Sequence, residues 1–339
     1  MAHRCCVLAL LILDIWIAGA IAGAIGDASV RTKFKQWMAK YGRVYTDAAE
    51  EERRFQIFKD NYEYIESANK AGNRTYTLGL NHFADMTDEE FQEDQDSCLD
   101  PTPPHLESMT GSFRYANVTD VPEVVDWIAS DAVTRCESQG HCGSCWAFSA
   151  AAAIEGINAI KTGLLAPVSV QQLVDCDVAS HGCKGGGRDR AFFFVLVNGG
   201  IAAALNYSYT GRQGECRGGV PPVATIRSYE AVPPNNESAL KQAVANQPVA
   251  IALCTRNPRD IKWYSGGLFK GPCGTCQNHA MTVVGYGIQD TLDPSSKYWA
   301  LKNSWGEDWG VNGFMFIQRE AGPPEGLCGL AKTPIYPVK

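Results

Sequence analysis

Past its first 26 residues the chain has no apolar run approaching the roughly 20 residues that cross a bilayer, so no later segment is a candidate membrane span. Histidine is scarce as well: of six in 339 residues, only His141, His181 and His279 follow residue 121. Acid–base chemistry in that region that uses an imidazole therefore has three candidates. The same region lacks net charge, since Val121 to Lys339 holds 18 Lys/Arg and 18 Asp/Glu. No basic face for nucleic acid is expected of it. The formal charge of −7 belongs instead to residues 27–120, where 11 Lys/Arg meet 18 Asp/Glu. The composition is not that of a disordered chain, because 45% hydrophobic and 10% aromatic residues suffice for a full core in more than one lobe.

What is present points to export. The first 26 residues carry one basic residue, Arg4, then an apolar run ending in small residues, with Ala22 and Ala24 in an A-x-A arrangement. Residues 1–24 read as a secretory signal, and Asp14 inside it argues against a permanent anchor. The chain has 13 cysteines, ten of them from Cys136 onward, and in a secretory protein that number favours disulfides. Asn73, Asn117, Asn206 and Asn236 head Asn-x-Ser/Thr triplets and are glycosylation candidates. The expected destination is the exterior or a vacuolar or lysosomal compartment.

Residues 25–120 form a distinct segment that ends in "SCLDPTPPHLESMTGSF", an aperiodic stretch suited to an exposed, cleavable linker. Phe34, Trp37, Met38 and Tyr41 make one helical stripe, and Phe55, Phe58, Tyr62 and Ile65 another. A small helical unit with its own charge, tethered this way, reads as a pro-segment that is later removed. From Val121 the texture changes. "SCWAFSAAAAIEGINAIKTG" predicts a long helix closed by Gly163, and "SVQQLVDC" a shorter one with Ser169 and Gln172 in capping-box spacing. "PVAIAL", "NHAMTVVGYGI", "KYWALKNSW" and "GFMFIQR" read as strands. The expectation is an α+β protein whose helical lobe is followed by a sheet lobe, with a cleft between them.

"QGHCGSCWAF" raises the question of chemistry. Cys142-x-x-Cys145 alone fits a zinc knuckle, a redox pair, a disulfide corner or the mounting of a reactive thiol. Were Cys145 a nucleophile, the start of the following helix would favour its thiolate. His141 sits in the same tight loop and His181 in a glycine-rich one, whereas His279 opens a strand of the other lobe. Asn303 could accept the imidazole N–H and fix its rotamer, and Trp305 could shield that bond from water. Gln139 has the length to donate to an oxyanion, with the Cys145 backbone N–H as second donor.

Taken in order, "QGHCGSCWAFS", "GCKGG", "GPCGTCQNHAMTVVGYG" and "KNSWGEDWG" resemble the papain-family cysteine endopeptidases, the plant bromelain-like members in particular. Glu50, Arg54, Ile57, Phe58, Asn61, Ile65 and Asn69, with Gly79, Asn81, Phe83 and Asp85, are similar to that family's pro-segment motifs. The resemblance implies a papain-like two-lobe fold over 121–339, with a helical left lobe, an antiparallel β-barrel-like right lobe and a helical pro-domain ahead of them. It implies catalysis by Cys145, His279 and Asn303 with Gln139 at the oxyanion, and the disulfides Cys142–Cys183, Cys176–Cys216 and Cys273–Cys328. Cys136, Cys254 and Cys276 are left without assigned partners. The implied partners are protein and peptide substrates, the chain's own pro-segment and cystatin-type inhibitors. The implied enzyme is a monomer with neither cofactor nor metal. A catalytically weak binding or storage protein on the same fold is the alternative.

Gly185, Gly186, Gly187, Arg188, Ala252, Asn278, Ala280, Trp305 and Thr333 match the family's substrate-lining positions. The pocket for the substrate residue preceding the one attacked is usually walled by a bulky and an apolar residue where this chain has Gly187 and Arg188. Arg188 either points to solvent and leaves a wide, shallow pocket, or leans in and adds a cation. "DMTDEEFQEDQD" holds seven carboxylates and no base, so docking of the pro-segment is expected to weaken as pH falls from about 5 to 4.

Overall fold

The computed structural model describes residues 27–96, 113–256 and 259–339. The expected signal at 1–24, Cys98 and most of the linker lie outside the described residues. Two compact units emerge, and the division does not follow the expected single pro-domain. Residues 27–70 and 82–87 form the first, whereas 71–81 and 88–96 belong with the remainder of the chain in the second.

The first unit is built from α1 (residues 27–41) and α2 (Ala48–Lys70). Both apolar stripes meet at Phe34, whose ring lies 5.5 Å from Phe55, 5.2 Å from Phe58 and 6.0 Å from Trp37. Asp47 caps α2 by accepting the N–H groups of Ala49 and Glu50, both at 2.9 Å. Polar residues of α2 then hold the returning chain: Asn61, 1% exposed, donates to the carbonyls of Ala84 and Met86, and Arg54 donates to that of Asp85. Arg54 and Asn61 of the first motif thus hold residues 84–86 around the second motif's Asp85.

In the second unit the pro-segment supplies β1 (Tyr76–Leu78) and α3 (Asp88–Asp96), followed by β2 (Val125–Asp126). The helical part follows with α4 (Cys145–Thr162), α5 (Val170–Cys176) and α6 (Arg188–Val197). α4 is buried almost all round, as its alanine run permits. It packs Trp146, Ala150 and Ile154 against Leu173, Phe192, Val195 and Ile226, and ends at Gly163, whose φ of 72° is the left-handed conformation a C-terminal glycine adopts freely. At α5 only half of the capping box forms. Ser169 Oγ accepts from Gln172 N at 2.9 Å, but the Gln172 side chain accepts from Ala202 N instead of reaching back, because the Ser169 N–H already donates to the Ala202 carbonyl.

The rest is sheet: β3 (Ile201–Ala202) pairs with β4 (Pro222–Ala224), and β5 (Ser228–Ala231) precedes α7 (Glu237–Val244). Then come β6 (Val249–Leu253), α8 (Asp260–Trp263), β7 (Tyr264–Phe269), β8 (His279–Ile288), β9 (Lys297–Lys302), β10 (Phe314–Gln318) and β11 (Ile335–Val338). The main nine-stranded sheet runs β1-β7-β10-β9-β8-β6-β11-β5, with β2 on β8. It is an open path, not a closed barrel, and β10 lies parallel to β7 while the other pairings are antiparallel.

The three implied disulfides are formed, and a fourth joins Cys254 to Cys276. Two of the three cysteines without assigned partners are therefore a pair, and the third, Cys136, is a buried free thiol. Every Cys-x-x-Cys partner of Cys145 and Cys273 is thereby engaged in a disulfide, which removes the zinc-knuckle and redox-pair readings. Asn73, Asn117, Asn206 and Asn236 are all exposed, and Asn236 also caps α7 through Oδ1.

Candidate active site

Cys145 is the first residue of α4, fully buried and outside any disulfide. The loop before it is braced from three sides. Cys142 is tied to Cys183, Gly143 N–H donates to the Cys183 carbonyl at 2.8 Å, and Ser144 Oγ shares a 2.7 Å hydrogen bond with Tyr209 OH. Ser144 therefore gives the helix no side-chain cap, and the positive end of the helix dipole faces the Cys145 sulfur.

The opposing wall comes from β8. Its register against β6, Leu253 to His279 and Ala252 to Ala280, sets His279 at the start of the strand. The next N–H, that of Ala280, donates to Cys145 Sγ at 3.3 Å. Lys302 pairs with Thr282, so the chain leaves β9 alongside the start of β8, and Asn303 and Trp305 both reach His279. Asn303 Oδ1 lies 2.8 Å from His279 Nε2, and the Trp305 ring centroid lies 4.6 Å from that of the imidazole.

These bonds fix the tautomer. Asn303 Oδ1 also accepts the Ser304 backbone N–H at 2.8 Å, so this atom is the amide oxygen and His279 Nε2 must be the donor. In the neutral ring Nδ1 is then the basic nitrogen, and it makes no hydrogen bond within the protein. The arrangement can accept a proton beside a thiol and return it.

Gln139, 1% exposed, is pinned through both ends of its amide. Oε1 accepts from Ser304 Oγ at 2.6 Å and Nε2 donates to the Cys142 carbonyl at 3.0 Å. Ser304 joins Gln139 to Asn303, a role the sequence alone did not suggest; its place between Asn303 and Trp305 in "KNSWG" was the available signal. His141 and His181 are exposed.

Of the expected lining residues, Gly185, Gly186 and Gly187 are buried beside the loop. A Cβ at Gly186 would come within 2.6 Å of Trp146 and Ser180, so the backbone can pass there only without a side chain. Ala252 and Ala280 face each other across β6 and β8, and Thr333 Oγ1 donates to Gln277 Oε1 at 2.9 Å. Asn278 turns its amide onto Thr255. Arg188 does not point to solvent: it donates to Thr333 and Ala250.

On the Ser149 and Ala152 side of α4 a cavity of about 410 Å³ reaches Lys302, Asn303 and the buried Glu155. Neither Cys145 nor His279 lines it, although Ser149 and Ala152 follow Cys145 at i+4 and i+7 on the same face of the helix. Pro-segment residues of this unit approach the constellation at Trp305, where Phe91 of α3 packs edge-on. They are anchored by β1 on β7, by Arg74 on Asp260 at 3.0 Å and by Asn81 donating to the Lys262 carbonyl at 2.7 Å.

Comparison with known proteins agrees with this geometry. Residues 121–338 match the papain family cysteine protease model, and residues 34–91 match the cathepsin propeptide inhibitor domain (I29). The chain is 45% identical over 316 residues to the senescence-specific cysteine protease SAG39 of Oryza sativa subsp. indica, covering 92% of this chain and 91% of that one. It is 42% identical over 307 residues to fruit bromelain of Ananas comosus, covering 90% and 86%. Among solved structures, a recombinant stem bromelain precursor superposes with a TM-score of 0.82 at 41% identity, over 91% of this chain and 99% of the other. The proform of the ragweed pollen allergen Amb a 11 cysteine protease gives 0.80 at 39%, over 91% and 92%. The chain belongs to the papain family of cysteine proteases and is a zymogen that carries the family's propeptide inhibitor domain ahead of its protease domain.

Proposed function

We propose that peptide bonds are cleaved at Cys145. The thiol proton passes to His279 Nδ1, and Sγ bonds to the carbonyl carbon while the carbonyl π electrons move onto oxygen. Gln139 Nε2 and the Cys145 N–H donate to that oxyanion. As it collapses, the C–N bond breaks and the amine leaves with the proton from His279. Water, deprotonated by the same imidazole, then opens the thioester and regenerates the thiol. Asn303 touches no reacting atom and acts by orienting the ring. The observation that carries this reading is the 2.8 Å approach of His279 Nε2 to Asn303 Oδ1, which also accepts the Ser304 N–H, with Nδ1 making no hydrogen bond within the protein.

Residues 1–24 are proposed as the signal, 25–120 as the pro-segment and 121–339 as the mature enzyme, routed through the secretory pathway to the exterior or a vacuolar or lysosomal compartment. Its macromolecular partners would be protein substrates and cystatin-type inhibitors, and the mature form a monomer. Bromelain of Ananas comosus has been solved with the inhibitor E64, and the intact Cys145 site supports the same reactivity here. The test is to label matured protein with a thiol-directed epoxide peptidomimetic and map the adduct by mass spectrometry. One adduct, on Cys145, is expected, with peptidase activity lost in step; activity persisting after full labelling of Cys145 overturns the assignment.

A further inference from the structure

Arg188 opens α6 at the first position after Gly187, and its side chain turns inward. Nη1 donates to the Thr333 carbonyl at 3.0 Å and the Ala250 carbonyl at 3.3 Å, and Nη2 donates to Thr333 Oγ1 at 2.8 Å. All three acceptors are neutral. Among the described residues no carboxylate forms an ion pair with this guanidinium. Carbonyl and hydroxyl dipoles orient a half-buried cation but do not neutralise it, and such a group keeps an attraction for an anion.

The position matters as much as the charge. Ala252 and Ala280 pair directly across β6 and β8, and the Ala280 N–H donates to Cys145 Sγ. The space bounded by Arg188, Thr333 and these two alanines therefore abuts the sulfur. The walls contributed by Ala252 and Ala280 are single methyl groups and Gly187 adds no side chain, while Asp189 Oδ1 stands 2.5 Å from the point a Gly187 Cβ would occupy. Burial lowers the Arg188 pKa to about 10, while Asp189 and Cys145 oppose the shift. The group stays cationic wherever a peptide carboxylate is ionised.

We infer that Arg188 makes this pocket selective for an acidic side chain, glutamate above all, in the substrate residue preceding the one whose carbonyl Cys145 attacks. The inference rests on the proposed protease site and names its substrate class. A neutral isostere separates it from a purely structural role for Arg188, because tying α6 to Thr333 cannot distinguish glutamate from glutamine in a substrate.

The experiment uses enzyme matured from the full-length precursor and titrated with the epoxide, so that only competent sites are counted. Fluorogenic peptides that differ only in Glu, Gln or Leu at that position are compared at pH 6. A kcat/KM ratio of Glu over Gln of roughly ten-fold or more is expected, the scale of a charge-assisted bidentate contact. It should shrink with added salt, as an ionic contact in an open pocket does. Arg188→Met should bring the ratio to about one, and Arg188→Lys should keep part of it. Should Arg188→Met yield no titratable sites, the wild-type ratio is followed below pH 5, where it must fall as the substrate carboxyl protonates near 4. A wild-type ratio near one, a ratio unchanged in Arg188→Met, or one indifferent to pH overturns the inference. Leucine peptides cleaved well and glutamate peptides poorly would do the same while leaving the protease reading intact; no hydrolysis of any peptide overturns both.

Discussion

Phe91 meets Trp305 edge-on, ring centroids 5.5 Å apart and planes at 75°, and Trp305 in turn covers the imidazole of His279. One aromatic contact thus links the pro-segment to the group proposed to move the proton. Lys262 reinforces it, with Nζ 5.4 Å from the Phe91 ring and 3.4 Å from Asp88 Oδ1. Replacing Phe91 by Ala should weaken the seating of α3 by at least about 2 kcal/mol, as expected for a buried aromatic anchor. The precursor should then process itself more than ten-fold faster at neutral pH, read as loss of full-length chain by gel. An unchanged rate would detach Phe91 from inhibition.

In the proposed mechanism Asn303 acts through His279, so its loss should harm ring orientation more than chemistry. Cys145→Ala and His279→Ala are expected to abolish activity. Asn303→Ala should retain a measurable fraction, roughly one part in 10² to 10⁴ of kcat, by analogy with the orienting member of other triads. A shifted pH–rate profile should accompany the loss, since the tautomer is no longer fixed. Complete loss with normal circular dichroism contradicts the positioning role.

Acid should loosen the first unit through α2. Hydrogen bonds from Arg53 and then Arg54 hold the Glu50 carboxyl down at about 2, well below its usual 4.5. A carboxyl depressed by folding stabilises the fold above its unfolded value, and that contribution fades as pH falls from about 4.5 to about 2. In uncleavable Cys145→Ala precursor, Glu50→Gln should cost stability at pH 7 and nothing near pH 2, followed by urea unfolding. A deficit independent of pH would mean that the glutamine simply packs badly.

Glu155 lies buried behind the site. It accepts from Thr134 Oγ1 at 2.7 Å and Val168 N at 2.9 Å, with Lys302 Nζ 3.8 Å away, and burial pushes its pKa up. Glu155→Ala strands the Val168 N–H and an adjacent lysine charge, so a loss of about 3–5 kcal/mol is expected. Because Lys302 immediately precedes Asn303, kcat should fall with stability. Thermal melts and kcat on the same samples check both, and a stable, fully active variant would show that the pair is dispensable.

Legibility in the sequence followed the range of the interactions. Local signals were sound: the alanine run from Cys145, the glycine at 163 and the two stripes, one through Phe34 and Trp37 and one through Phe55 and Phe58, each carry their structure within a few turns. Cys145, His279, Asn303 and Gln139 each sit in a long motif, and the structure joins His279 to Asn303, Ser304 to Gln139, and the N–H next to His279 to the Cys145 sulfur. What depended on tertiary partners was not. The Cys254–Cys276 pair needed the packing of β6 against β8, the Gln172 side chain found Ala202 instead of its own helix, and the inward turn of Arg188 needed acceptors 62 and 145 residues away. The division of the pro-segment between two units is likewise a consequence of β1 pairing with a strand almost 190 residues distant.

That pairing has an outcome for the mature enzyme. While residues 76–78 lie against β7, Tyr76 faces Gly267 and Leu78 faces Tyr264. Once the pro-segment departs, β7 becomes the rim of the sheet, with a row of vacated amide and carbonyl groups open to any extended chain. Two features blunt the hazard. The rim carries Gly266 and Gly267 at its centre, the latter at φ +83°, which twists the strand away from a flat template. The strand is also only six residues long. Maturation therefore trades a self-supplied neighbour for a short, bent margin that a second copy of the enzyme would match poorly, and crowding of freshly processed molecules need not end in fibres.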